Sequence, residues 1–196
     1  MKRAWMRFSA SVSLLSLATT GTTAQTTTTR QPVAGIHASE SRLAGLAPGQ
    51  TRLARAEAVL GRPRERDRES GSARWRRCGE DLVVEADSAG LIETIRITRH
   101  LGREPSENCA VAADGIRWAT GKGLRLGDPA ARAVRLYGRP DSRSPSTKGG
   151  QRLELLYYAF DWAGPDVPQV MEVVCTVEND GGPGRVVEIT LAASSL

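Results

Sequence analysis

Few residues in this 196-residue chain have types and spacing suited to covalent or acid–base chemistry. No G-x-S-x-G motif presents a serine nucleophile, and only two histidines, His37 and His100, are available as general bases. The glycine-rich stretches at 121–123 and 149–150 match neither a phosphate-binding loop nor a dinucleotide fingerprint. We therefore predict that the chain is not an enzyme and has no catalytic residue, cofactor or metal site; a hydrolase is the less favoured interpretation.

The three cysteines favour a structural role. Cys78 and Cys109 bracket the last predicted strands of the first half of the chain, and we expect them to form a disulfide in an oxidising compartment. Cys175 lies in an apolar strand and is expected to be a buried free thiol, with pairing to one of the other two as the alternative. No C-x2-C pair is present, so the spacing fits no zinc site.

Aromatic residues are the best candidates for a binding surface, because most of them lie in the second half of the chain. In the predicted strand 153–162, alternation separates two faces. One face carries Leu153, Leu155, Tyr157 and Ala159, and the other carries Leu156, Tyr158, Phe160 and Trp162. If the second face is open, Tyr158, Phe160 and Trp162 form an aromatic ridge of the kind that anchors protein interfaces. The alternative is that this face packs against the rest of the protein.

Two similar helix-and-turn segments must position these residues. Residues 52–63 (RLARAEAVLGRP) and 129–140 (PAARAVRLYGRP) align without a gap at an offset of 77 residues, with six of twelve positions identical. In each segment a glycine ends the predicted helix and a proline two residues later prevents its continuation. The strands predicted to follow lie near 73–78, 81–86, 92–99, 152–162, 169–178 and 185–192.

The repeated signature predicts an α+β fold with two tandem repeats. Each repeat would be a short helix, or at most a helix-turn-helix, packed on an antiparallel meander sheet. The predicted organisation is a signal peptide at 1–24 (cleaved after residue 18 or 24), a flexible Thr-rich leader at 25–39, a first repeat at 40–101, a connector at 102–114 and a second repeat at 115–196.

The N-terminus has the pattern of an export signal. Lys2, Arg3 and Arg7 precede a short apolar run at 8–18, which is too short to span a bilayer because a span needs about 20 residues. No cysteine lies near either cleavage position for lipid attachment. We therefore expect a bacterial periplasmic or secreted protein without a membrane span or lipid anchor. The basic stretch 62–77 contains interleaved acidic residues, so nucleic acid is not an expected partner.

The segment from Gly127 to Gly138 with Pro140, and less closely Gly49 to Gly61 with Pro63, resembles a known motif. It is similar to the turn–helix–turn of the beta-lactamase inhibitor protein family and of the small-protein-A (OmlA) type of outer-membrane assembly lipoproteins. The resemblance covers residues 40–194 and implies a helix-on-sheet fold in tandem, with a concave sheet surface in the inhibitor family that grips a target. It implies neither beta-lactamase inhibition nor envelope assembly for this chain.

Together these observations predict a secreted or periplasmic, non-enzymatic protein-binding module of unknown target. The sheet surface of the second repeat is the expected contact region, with Tyr158, Phe160 and Trp162 as its residues. A structural, envelope-associated protein is the alternative.

Overall fold

The computed structural model of the chain describes residues 39–99, 118–160, 170–178 and 183–193, all within one compact unit at 34–196. The predicted signal peptide, nearly all of the leader and the whole connector lie outside these residues. The elements in chain order are α1 Leu53–Leu60, β1 Glu65–Asp67, β2 Ser72–Arg77, β3 Glu80–Ala86, β4 Ile92–Arg99, α2 Ala130–Tyr137, β5 Ser142–Lys148, β6 Gln151–Ala159, β7 Val170–Val177 and β8 Pro183–Ala192.

All eight strands form one antiparallel sheet in the order β1-β2-β3-β4-β8-β7-β6-β5. The prediction of an α+β fold with two tandem repeats is wrong, because β4 and β8 pair with each other and merge every strand into one sheet. The two helices have only eight residues each, which leaves the sheet as the dominant element. Alternating apolar residues identify strands but not their neighbours, since every free strand edge offers the same backbone donors and acceptors.

One face of the sheet holds the hydrophobic core, and we call it the covered face. Two rows of buried cross-strand neighbours run across six strands of this face. The first row is Trp75, Leu82, Ile97, Ile189, Val173 and Leu156, and the second is Ala73, Val84, Ile95, Leu191, Met171 and Tyr158. Both helices belong to the same buried cluster, so they pack on this face.

Each helix is short and depends on the sheet for its stability. In α2, Ala130, Ala133 and Tyr137 are buried, and the helix ends at Gly138, whose φ of 86° suits glycine. An aromatic side chain of the sheet binds the glycine carbonyl at the end of each helix. Trp75 Nε1 donates to Gly61 O at 2.8 Å, and Tyr158 donates to Gly138 O at 3.4 Å.

The opposite face, which we call the uncovered face, has no described helix packed on it. This face curls inward at the β5–β6 hairpin, where Lys148 Nζ lies 2.7 Å from a carboxylate oxygen of Glu188 in β8. These strands stand three positions apart, about 14 Å at the usual strand spacing. The two side chains cannot bridge that distance in a flat sheet, so the sheet bends toward its uncovered face. The bend also explains why Leu153, on the same face, is only 2% exposed.

Candidate functional site

The predicted aromatic ridge is not an open surface in the part of the chain that the structure describes. Tyr158 is fully buried and Phe160 is 5% exposed, and both belong to the core beneath α2. Tyr137 of α2 meets Tyr158 edge-to-face with ring centroids 5.9 Å apart. The assignment of Tyr158 and Phe160 to a binding surface is therefore corrected to core packing, the alternative interpretation of this face. Trp162 lies outside the described residues.

Burial also governs the chemistry of the ionisable groups in this core. It raises the pKa of the Tyr158 hydroxyl to about 12 and is the main cause of the rise in the pKa of the Cys175 thiol to about 12. The nearby Glu154 carboxylate adds to the second effect. Cys175 is a free, buried cysteine, and its thiol stays protonated at neutral pH, which disfavours a nucleophilic role. Cys109 lies outside the described residues, so its disulfide with Cys78 stays a prediction.

The uncovered face of β6 and β7 presents the side chains that alternate with the buried aromatics. Leu155 and Tyr157 are half-buried there, with Val174 and Glu172 as their direct cross-strand neighbours. Sequence alternation placed Leu155 and Tyr157 opposite Tyr158, but it did not show which of the two faces the helix covers. These four residues form a contiguous patch, which we call the Tyr157 patch.

The two polar side chains of the Tyr157 patch have no hydrogen-bond or ion-pair partner within the described part of the chain. The Tyr157 hydroxyl makes no hydrogen bond there, and the Glu172 carboxylate makes neither a hydrogen bond nor an ion pair. Both side chains are half-buried, so water access to them is reduced. A half-buried aromatic next to an unpaired carboxylate is suited to a basic side chain, which can pair with the acid and contact the ring.

Arginine residues dominate the other half of the uncovered face. Arg96 continues the row of Tyr157 and Glu172 across the sheet, and its Nε lies 3.3 Å from Thr190 Oγ1 and 3.7 Å from Glu188. Arg76 forms two contacts with Asp81, at 2.6 and 2.9 Å. Both guanidinium groups contact carboxylates of the same face, although Arg96 shares Glu188 with Lys148. The Glu172 carboxylate has no such contact with a basic group within the described residues.

A buried polar cluster under α2 is the other concentration of reactive groups. The Glu40 carboxylate accepts hydrogen bonds from the backbone N–H groups of Ser41, Arg42 and Lys122, and from the Tyr137 hydroxyl at 2.7 Å. Thr120 Oγ1 lies 2.6 Å from the Tyr137 oxygen and can donate to it. Burial raises the pKa of Tyr137 well above its ordinary value. Because the cluster is closed and its carboxylate is fully bonded, it is suited to anchoring the fold rather than to acid–base chemistry.

Neither a metal-binding group nor a membrane-spanning helix is found in the described ranges. No set of three or more His, Cys, Asp or Glu side chains comes together there as possible ligands. Within the same ranges, no helix has the length and apolar composition needed to cross a membrane.

No protein-family model matches the chain, and no curated protein matches it. Among solved structures it is similar to a DUF4309 family protein (YjgB) from Bacillus subtilis, with a TM-score of 0.41 and 12% identity over 76% of this chain and 83% of that one. It is also similar to a cysteine-rich secretory protein (SAV1118) from Staphylococcus aureus, with a TM-score of 0.42 and 9% identity over 80% of this chain and 48% of that one. Similarity this distant carries no argument about function.

Proposed function

We propose that this protein is a non-enzymatic protein-binding module that contacts its partner through the Tyr157 patch. The observation that carries the proposal is the combination of Leu155, Tyr157 and Val174 with the unpaired Glu172 on the curled, uncovered face. Aromatic and aliphatic groups of this kind supply the desolvated centre of protein interfaces, and an adjacent charge selects the partner.

The partner has a definable chemistry. It presents an arginine or lysine side chain to Glu172, where the cation also lies over the Tyr157 ring, and an apolar group to Leu155 and Val174. On the far side of the face, Arg76 pairs with Asp81, and Arg96 shares the Glu188 carboxylate with Lys148. Glu172 is the one acidic side chain of the Tyr157 patch, and this favours a basic contact on the partner.

The proposal includes a location in the periplasm or outside the cell. The basic residues and short apolar run at the N-terminus support export of a bacterial protein to the periplasm or beyond. Membership of the beta-lactamase inhibitor or small-protein-A type of fold likewise stays a proposal, resting on the Gly127–Gly138 motif and Pro140.

Site-specific photo-cross-linking tests the proposed surface. A benzoylphenylalanine in place of Tyr157, in the full chain expressed in cells, should give one discrete adduct with a partner protein. The matched control carries the same cross-linker in place of Val59, an exposed residue of α1. We expect no such adduct from position 59, and we expect the adduct from position 157 to be lost when Glu172→Lys is added.

Mass spectrometry of the adduct completes the test. The cross-linked peptide should contain a basic residue close to an apolar one. The proposal is overturned if position 157 gives no adduct, if both positions give the same adducts, or if Glu172→Lys leaves the adduct unchanged. Thermal unfolding of each variant should stay within a few degrees of the parent protein, because these side chains are only half-buried.

A further inference from the structure

A second surface feature lies on the other side of the sheet, between α2 and the edge of the sheet. It is a groove of about 370 Å³ lined by Ala130, Ala131, Val134, Arg135, Arg143, Glu154 and Leu156. This volume is within the range of small-molecule sites. Its floor is entirely aliphatic, and its charged groups lie at the rim. We call this feature the α2 groove.

The equivalent place beside α1 carries different side chains, and one of these differences changes an ion pair. At the offset of 77 residues, Glu57 corresponds to Val134 and Arg66 corresponds to Arg143. Beside α1, the Arg66 side chain of β1 crosses to the helix and lies 2.6 Å from the Glu57 carboxylate. Beside α2 no carboxylate is available at Val134, so Arg143 turns to Glu154 of β6 at 3.5 Å instead. The valine thus offers Arg143 no partner on the helix, and its aliphatic side chain lines the groove instead.

The charges at the rim favour an anionic ligand. Arg143 shares a long contact with Glu154, and Arg135 is exposed and makes no ion pair within the described part of the chain. With two arginines and one glutamate, the rim carries an excess positive charge. An aliphatic chain with an anionic head would bury its tail against Val134 and Leu156 and place its head beside Arg135.

An extended peptide is a poorer fit, because the adjacent edge strand resists strand addition. The Gly149–Gly150 turn has positive φ at both residues and directly joins the paired Lys148 and Gln151, as in a type I′ hairpin. In the β5–β6 hairpin, hydrogen-bonded and non-hydrogen-bonded pairs alternate from Lys148 and Gln151 onward. Pro145 falls in a non-hydrogen-bonded pair, so its backbone nitrogen faces away from β6. That outer edge lacks a donor at Pro145, which is a usual protection against strand pairing.

We infer that the α2 groove binds a free medium-chain aliphatic carboxylate. The tail occupies the floor formed by Ala130, Val134 and Leu156, and the carboxylate pairs with Arg135 and competes with Glu154 for Arg143. This site lies on the covered side of the sheet, so it is independent of the Tyr157 patch and of the proposed protein partner.

Calorimetric titration of the full chain with three probes tests the inference. Octanoate should bind saturably. Acetate lacks the tail and should not bind, and octyltrimethylammonium has the same tail with a cationic head and should bind more weakly. The inference is overturned if octanoate shows no saturable binding, or if the cationic amphiphile binds as tightly as octanoate.

A variant that closes the groove provides the structural arm of the test. Val134→Glu should reproduce the Glu57–Arg66 pair with Arg143 and weaken octanoate binding by about tenfold or more, because it removes apolar contact and adds negative charge. Val59→Glu is the matched control, since it makes the same chemical change at an exposed site on α1 and should leave binding unchanged. Unchanged octanoate binding by Val134→Glu would overturn the inference.

A second variant keeps the test decisive if Val134→Glu folds poorly. Arg135→Gln changes only an exposed side chain, so the fold should be unaffected. It should reduce the preference for octanoate over octyltrimethylammonium several-fold. An unchanged preference would show that Arg135 does not select the head group and would contradict the assignment.

Discussion

Among single residues, burial determines the roles of the cysteine thiol and of the aromatic side chains that were expected to form a binding surface. Tyr158 and Cys175 are completely buried in the covered face of the sheet. Tyr157, which precedes Tyr158 in the chain, is half-buried on the uncovered face. Neighbouring residues of one strand thus divide between the core and the candidate binding surface, because their side chains point to opposite faces.

The raised pKa values of the buried Tyr158 hydroxyl and Cys175 thiol predict a loss of stability at alkaline pH. The pKa values of Tyr158 and Cys175 are both raised to about 12 in the folded protein, from ordinary values of 10.0 and 9.0. Above about pH 9 the unfolded chain therefore binds fewer protons than the folded protein, and the free energy of unfolding falls as pH rises. Stability should be nearly constant from pH 7 to 8.5 and should fall progressively toward pH 12.

Urea unfolding at pH 8 and at pH 10.5 measures this loss. Cys175→Ala and Tyr158→Phe each remove one of the titrating groups, so each variant should lose less stability between the two pH values than the parent protein. A double variant with the same pH dependence as the parent would show that these groups do not carry the effect. The thiol of Cys175 should also react with an aromatic disulfide reagent only after unfolding.

Among the elements, the loops before the helices are held by a buried carboxylate as well as by apolar side chains such as Leu43 and Leu124. Glu40 is 3% exposed and receives backbone hydrogen bonds from its own segment and from Lys122 in the loop before α2. Tyr137, at the end of α2, donates to the same carboxylate. One side chain therefore joins two loops and a helix. A Cβ on Gly121 would lie only 2.6 Å from a carboxylate oxygen of Glu40, so the close approach requires glycine.

Removing this anchor should be costly. Glu40→Ala leaves buried donors unsatisfied and is expected to lower the free energy of unfolding by about 3 kcal/mol. Tyr137→Phe removes one hydrogen bond and keeps the ring contacts, so it should cost about 1–2 kcal/mol. Urea denaturation measures both. A change of less than about 0.5 kcal/mol for Glu40→Ala, the level of an ordinary surface substitution, would contradict the anchoring role.

Some strands could be predicted from apolar alternation in the sequence, and others could not. Strands with alternating apolar residues, such as β4 and β8, lie close to their predicted positions. The sequence of β5, SRSPSTK, has no apolar alternation and gave no strand prediction. It is an edge strand whose backbone pairs only with β6 through the Gly149–Gly150 turn, so its conformation depends on its neighbour rather than on burial of its side chains.

At the scale of the whole molecule, the pairing of β4 with β8 makes the sheet a single structural unit. Ile189 of β8 lies directly between Ile97 of β4 and Val173 of β7 in the first buried row. The core cluster extends without interruption from Trp75 in β2 to Leu156 in β6. Packing in one half of the sheet is therefore coupled to packing in the other half.

This coupling predicts cooperative unfolding. Ile189→Ala leaves a cavity in the central row and should cost about 2–5 kcal/mol. In native-state hydrogen exchange, the most protected amides of β3 and of β7 should lose the same free energy of opening, because both open only in global unfolding. Destabilisation of β7 amides alone, with β3 amides unaffected, would show that the two halves of the sheet unfold independently.

The local elements could be predicted from the amino-acid order alone: two short helices ended by Gly61 and Gly138, and the strands whose apolar residues alternate. These depend on contacts within a few residues, so their signals are present in the chain order. The amino-acid order could not determine that β4 pairs with β8, or that Tyr158 rather than Tyr157 lies under α2. Both points depend on long-range packing, because strand edges are chemically alike and a two-residue period does not show which face becomes covered.

The two candidate sites likewise depend on long-range contacts that the amino-acid order does not show. Tyr157 and Glu172 are neighbours because of the register between β6 and β7. The α2 groove is lined by Val134, whereas Glu57 at the equivalent position of α1 forms an ion pair with Arg66. The repeated segment showed both residues at equivalent positions. The consequence of their difference depends on the strand-to-helix contact that Arg66 makes with Glu57, in place of which Arg143 pairs with Glu154, and such contacts are a property of the folded chain.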